Sequence, residues 1–340
     1  MEKLKIYVTP RIAQILLKDT EGFEFYKRDG STLNRNALLT KLIVNYYKNF
    51  AEEQQDLFSF LKDRLSDLTP VGEKNLNHLC FDLCERLNER SAAPKKEKFN
   101  VLISLKPTRE SLPVLEFIEQ YSLTGRTLSE YFRSMFASYA ALPQDKREEI
   151  IFRPQYETLA KAIREKKKVF ITTKGGKQAE LSPYAIARSK EELHLYLIGV
   201  HNRCLPYRLS RILSVTCLSG NAEFSYSQTL IAEKMIKYGP QFVYRDNEPP
   251  VVAELTQKGI EKYKNIYVHR PVYVKNEKNI FYFECSHAQI VQYFIRFGED
   301  VKILSPQEIR DTICRFHRRA LHSYQNDNTT ENEPENALDQ

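Results

Sequence analysis

Seven residues between Pro183 and Ile212 carry side chains suited to holding a polyanion: Tyr184, Arg188, Tyr196, His201, Arg203, Arg208 and Arg211. The planar fork of arginine pairs with phosphate oxygens through two parallel hydrogen bonds. A tyrosine face can stack an unpaired base, an interaction worth about 1–3 kcal/mol per base. This is the chemistry of binding, not of bond-making. The chain has no GxSxG and no HExxH, and Gly175-Gly176 lacks the pattern of a phosphate loop and reads as a hairpin turn. Histidine is sparse, and none of the seven sits in a triad-like neighbourhood. Cys80 and Cys84 lie one helical turn apart with His78 nearby, but zinc needs four ligands and no second pair follows at suitable spacing. The expectation is a chain without enzymatic activity, cofactor or metal.

The elements that would position these residues are short strands. Tyr184–Arg188, Leu193–Val200 and Tyr207–Ile212 read as three consecutive β segments, the first two separated by the polar turn Ser189-Lys190-Glu191-Glu192. Upstream, VFITT and KQAELSPY form a hairpin around the two glycines, preceded by a helix from Pro154. Lys166-Lys167-Lys168 is read as the end of that helix, where cations oppose the dipole. From Ile151 to Gly220 there are 13 Lys/Arg against 5 Asp/Glu, so this stretch is the expected polyanion surface. The competing reading buries Tyr196 and pairs the arginines with Glu191 or Glu192.

Leu195-Tyr196-Leu197-Ile198-Gly199 followed by Tyr207-Arg208-Leu209-Ser210-Arg211-Ile212 resembles the motif of WYL domains. Leu195 stands where that family has Trp, and Ser210 where it usually has Asp. The resemblance implies a small SH3-like or Sm-like β-barrel. Its Tyr would be Tyr196, its two motif arginines Arg208 and Arg211, and its ligand surface would take nucleic acid. Phe297 to Ile309 resembles the extension that follows WYL domains, which implies a small α+β domain used for dimerisation.

The N-terminal part carries a duplication. LKIYVT reads as a strand, Thr9-Pro10 as a helix start, and a second helix begins near Thr32 with Leu38, Leu39, Leu42, Ile43 and Tyr46 as its apolar stripe. FNVLISL, Lys106-Pro107 and the capping box Thr127-Leu128-Ser129-Glu130 repeat the plan, with residues 51–93 helical between the copies and Ser91 to Lys96 a linker. The strand–helix–helix unit resembles a ribbon–helix–helix motif, which implies that the two strands pair into one ribbon. Lys3, Lys5 and Tyr7 share one face of the first strand, opposite Leu4, Ile6 and Val8; Asn100, Leu102 and Ser104 are their counterparts on the second. Such a polar face could enter a DNA major groove.

The expected architecture is an α+β multidomain chain: a tandem ribbon–helix–helix-like domain with a helical insert over 1–150, a WYL domain over 151–245, a C-terminal α+β dimerisation domain over 246–324, with Asp246 to Pro250 at its start, and a disordered acidic tail over 325–340. Its segments after 250 are VVAELT, IYVHRPVYVK and NIFYFECS as strands, HAQIVQYFIRFG as a helix, then VKILS and a final helix from Pro306. No apolar run approaches a membrane span, no signal peptide is evident, and six scattered cysteines fit a reduced cytoplasmic protein. A ribbon–helix–helix head with a WYL domain resembles the WYL accessory proteins of type VI-D CRISPR loci. That implies a homodimer that binds single-stranded RNA and stimulates an RNA-guided RNA-targeting ribonuclease. The alternatives are a transcription regulator that grips duplex operator DNA with the ribbon and senses a ligand with the WYL domain, or a protein-interaction adaptor.

Overall fold

The computed structural model describes residues 3–67, 72–92, 97–123, 126–245 and 248–327. The chain divides into two compact units. Met1–Leu181, Leu193–Leu195 and Arg208–Asn221 form the first; Ser182–Glu192, Tyr196–Tyr207 and Ala222–Gln340 form the second.

The first unit opens with the duplicated element. Strand β1 (Leu4–Val8) leads through the N-cap Thr9, whose hydroxyl accepts from Ile12 N, into helix α1 (Pro10–Gly22) and then α2 (Arg35–Ser66). After α3 (Glu73–Ala92), strand β2 (Val101–Leu105) precedes α4 (Leu112–Tyr121) and α5 (Leu128–Ala141). Strands β1 and β2 form a two-stranded antiparallel sheet in which Ile6 pairs with Ile103, its counterpart in the repeat. The register sets a local two-fold through that pair. Ile6, Val8, Ile103 and Leu105 face inward and are fully or almost fully buried, as is the Leu38, Leu39, Leu42, Ile43, Tyr46 stripe of α2. Each such side chain contributes roughly 1.5–3 kcal/mol relative to exposure. The opposite face of the ribbon is solvent-facing, with Lys3, Lys5, Tyr7, Asn100, Leu102 and Ser104 all exposed.

Two helix starts differ from expectation. The N-cap of α2 is Asn34 rather than Thr32, because the Asn34 side chain accepts from Ala37 N. Residues after Lys106-Pro107 do not start a helix; Thr108 and Ser111 exchange side-chain and backbone hydrogen bonds first, and α4 begins at Leu112. The Thr127–Glu130 capping box forms with both of its hydrogen bonds.

Helices α6 (Gln144–Ile151) and α7 (Arg153–Arg164) then lead into strands β3 (Lys167–Thr173), β4 (Gln178–Arg188), β5 (Leu195–Val200), β6 (Cys204–Arg208) and β7 (Ile212–Asn221). These strands hydrogen-bond in the order β6-β5-β4-β3-β7. Among the described residues β6 and β7 are the edges, and no pairing closes a barrel. Three further expectations are corrected. KQAELSPY and Tyr184–Arg188 are one continuous strand. Tyr207–Ile212 is not a strand: β6 ends at Arg208, Leu209–Arg211 make a 3-10 turn, and β7 starts at Ile212. The lysine run does not end a helix either. Lys166 turns the chain with a positive φ of 51°, Lys167 donates to Ser219 O and Asn221 Oδ1, and Lys168 pairs with Glu180 at 3.1 Å. Gly176, with φ of 74°, makes the expected hairpin turn between β3 and β4.

The second unit adds helix α8 (Tyr226–Tyr238), which carries a capping box at Ser225 and Gln228 and was not foreseen from sequence. Strand β8 (Val251–Leu255), helix α9 (Gln257–Asn265), β9 (Tyr273–Glu277), β10 (Ile280–Phe283), α10 (His287–Phe294), β11 (Val301–Ser305) and α11 (Gln307–Asp327) follow. IYVHRPVYVK is therefore a strand only at its end. The sheet order is β11-β8-β10-β9, over an aromatic core of Phe281, Phe283, Tyr293, Phe294 and Phe297. Gly259 allows α9 to approach the turn at Asp300, since a Cβ there would lie 2.2 Å from the Asp300 carbonyl. Helix α3 continues through Ser91 and Ala92, the first two residues of the expected linker, and α11 through residues 325–327 of the expected disordered tail; 93–96, 246–247 and the tail beyond 327 lie outside the described residues.

Candidate nucleic-acid interface

In the first unit, Arg208 and Arg211 converge on the end of helix α1. That helix has no basic residue in its last turn, so cations from elsewhere can oppose the negative end of its dipole. Lys174 supplies one, its Nζ donating to Phe23 O at 2.9 Å and Glu24 O at 3.1 Å. Arg208 supplies the other, its Nη2 donating to Gly22 O. Just beyond, Glu24 adopts a φ of 60° and turns its carboxylate onto the arginines. Arg211 grips it bidentately, with Nη2 at 2.6 Å from Oε1 and Nε at 3.1 Å from Oε2, while Arg208 Nη1 lies 3.6 Å away.

Arg208 continues inward. Its Nη2 is 2.6 Å from His194 Nε2. A guanidinium has no acceptor, so that nitrogen must accept, and the imidazole proton sits on Nδ1, 3.1 Å from Glu148 Oε2. Glu148 is fully buried, accepts also from Leu195 N at 2.9 Å, and leaves Oε1 without a hydrogen-bond partner. The result is a chain from Glu24 through Arg208 and His194 to Glu148. Burial pushes the Glu24 carboxyl up, but Arg211, Arg208 and Lys174 together hold it below its ordinary value. Burial and the neighbouring arginines depress Lys174, against the pull of Glu24. Of the two carboxylates in the competing reading, Glu191 accepts from His269 N and Glu192 from the Tyr196 hydroxyl.

The remaining five predicted residues belong to the second unit. Tyr196 is 8% exposed and its hydroxyl bonds Glu192, so its ring is packed inside and offers no stacking face. The reason is that every residue of β5 is buried, so strand alternation leaves Tyr196 no solvent side. Tyr184 is half-buried, set edge-on to Phe224 at 5.2 Å. Arg188 is exposed at the end of β4, and His201 and Arg203 are exposed in the β5–β6 turn.

Arg203 also lines a cavity of about 260 Å3 with Asn202, Cys204, Gln228, Tyr244 and Arg245. Tyr244 is 5% exposed, with its phenol beside the Ser286 backbone. Arg245 is exposed and 3.4 Å from Glu308. Two guanidiniums and a buried phenol can receive a phosphate or a base edge. Tyr244, Arg245, Lys174, Glu24 and His194 were not singled out from sequence; Lys174 joins groups 150 and 151 residues away and Glu24 an arginine 187 away, although His194 is only 14 from Arg208.

Among the described residues no cluster of three or more His, Cys, Asp or Glu could hold a metal, and no helix is long and apolar enough to cross a membrane.

No protein-family model matches the chain, and no curated protein matches it in sequence. Among solved structures, it is similar to a CRISPR Cas-related protein, with a TM-score of 0.62 and 19% identity over 96% of this chain and 95% of that one. At that identity the likeness establishes a shared fold. A second match, the proteasome accessory factor B/C (PafBC) of Arthrobacter aurescens, has a TM-score of 0.23 and 16% identity over 66% of this chain and 37% of that one, too poor a superposition to carry an argument.

Proposed function

We propose that this chain is a non-enzymatic regulator that binds single-stranded RNA through the basic surface of its WYL-like region and stimulates an RNA-guided RNA-targeting CRISPR ribonuclease. The observation that carries the reading is the cavity lined by Arg203, Arg245 and the buried Tyr244. It lies beside the exposed His201, in a chain whose 151–220 stretch has an excess of cations. Fold likeness to a CRISPR Cas-related protein over nearly the whole chain supports the CRISPR context. Within the first unit, Arg211, held by Glu24 but with a side chain 60% exposed, offers a separate phosphate contact. Arg208 serves mainly to tie down α1.

The chain acts as a homodimer in this reading. Strand β9 is an edge strand with every residue exposed, including Tyr273 and Val274, and a second copy would protect such an edge. The ribbon face of Lys3, Lys5 and Tyr7 favours a second reading, duplex DNA binding in the major groove.

Fluorescence anisotropy with matched single-stranded RNA, single-stranded DNA and duplex DNA at two salt concentrations tests the proposal. RNA binding should weaken by about 1–3 kcal/mol in an Arg203→Ala/Arg245→Ala variant, with the salt slope reduced by roughly 0.7 for each phosphate that no longer has a cationic partner. Duplex binding abolished by Lys3→Ala/Lys5→Ala and indifferent to the arginines would replace it with the second reading.

A further inference from the structure

The first unit contains a second cavity, of about 510 Å3, walled by helices α2 and α3, the end of α4 and the start of α5. That is within the size range of small-molecule sites, roughly 300–1,000 Å3. Two polar groups lining it are unsatisfied. Tyr131 is 2% exposed and its hydroxyl has no hydrogen-bond partner; Arg126 Nε is buried and likewise unpartnered. The guanidinium of Arg126 lies over the Tyr131 ring, 5.7 Å from its centroid. A buried donor left unpaired costs about 1–3 kcal/mol, so two in one cavity call for an acceptor from outside the chain. Burial pushes the Tyr131 phenol up to about 12, so it keeps its proton and can donate at neutral pH.

The rest of the lining says what the acceptor is attached to. Phe58 and Phe81 pack with centroids 4.5 Å apart, and Tyr121 is 65% exposed beside them, surfaces for a planar ring. Asp82 and Glu85 line the same cavity. Two carboxylates against one guanidinium repel polyanions and favour a ligand that brings its own positive charge.

We propose that this cavity binds a small zwitterionic aromatic molecule. Its carboxylate accepts from Tyr131 and Arg126, its ring lies against Phe58, Phe81 and Tyr121, and its ammonium faces Asp82 and Glu85. The site is independent of the nucleic-acid reading and uses none of its residues.

The test is ligand-observed NMR and calorimetry on the full chain with L-phenylalanine as probe, and with benzylamine and adenosine monophosphate as comparators. Phenylalanine should bind saturably and better than either comparator. Tyr131→Phe and Arg126→Gln should each weaken it roughly ten-fold or more. Since the Tyr131 hydroxyl bonds nothing, Tyr131→Phe should melt no lower than the parent, which separates weaker ligand binding from a damaged fold. Absence of saturable phenylalanine binding, or binding unchanged in both variants, overturns the proposal; tighter binding of adenosine monophosphate, abolished in both variants, overturns the zwitterion in favour of a nucleotide.

Discussion

Replacing Arg208 by alanine should be far more damaging than replacing Arg211, although both come from one motif. Arg208 has a side chain only 17% exposed and donates to Gly22 O and His194 Nε2. Its removal orphans both acceptors next to Glu148, which already has one unpartnered oxygen. At about 1–3 kcal/mol per stranded group, partly relieved by water at Gly22, the cost is about 2–4 kcal/mol. Arg211 is 60% exposed and its bidentate pair with Glu24 is screened, so its loss should cost about 1 kcal/mol at most. At about 2–4 °C per kcal/mol for a domain of this size, Arg208→Ala should melt roughly 5–15 °C below the parent and Arg211→Ala within about 4 °C. Circular-dichroism melts of the two single variants measure this. RNA anisotropy at a temperature where both remain folded then isolates binding, in which Arg211→Ala should lose affinity. An Arg208→Ala protein that melts within about 2 °C of the parent, or an Arg211→Ala protein that melts lower than it, would refute the assignment of Arg208 as the strut.

Asp19 accepts from Arg147 at 2.7 and 3.0 Å and from the Tyr139 hydroxyl at 2.8 Å, with only 3% of its side chain exposed. Asp19→Asn should therefore destabilise by about 3–5 kcal/mol in urea titration, and Asp19→Leu/Arg147→Met by much less, since only the first leaves a buried charge unpaired. Glu24 titrates below its ordinary value in the folded chain, so its contribution is present above the unfolded value of about 4.3 and disappears as pH falls through the lower folded value. Parent melts taken from about pH 6 down to about pH 3 should show a fall in stability that Glu24→Gln lacks; parallel profiles would remove Glu24 from the network.

Local signals in the chain determined a good deal. Thr9-Pro10, the Thr127–Glu130 capping box and the Gly175-Gly176 turn act within one turn of backbone, the α2 stripe over a few turns of one helix, and each forms as expected. Alternation in LKIYV and its repeat sufficed to say which face of the ribbon is buried, because side-chain period in a strand is two. The same alternation could not place Tyr196, since β5 is buried on both faces. Nor could composition say what the arginines do. Their partners Glu24 and Gly22 are more than 180 residues away, at a helix end that lacks its own cations. Charge along the chain foretold a basic stretch; only the fold decided that Arg208 would be spent on α1 and His194, while Arg203 was left exposed at the hairpin tip beside Arg245. Hydrogen bonds and ion pairs depend on which distant segments packing brings within about 3 Å, and that is a property of the folded chain alone.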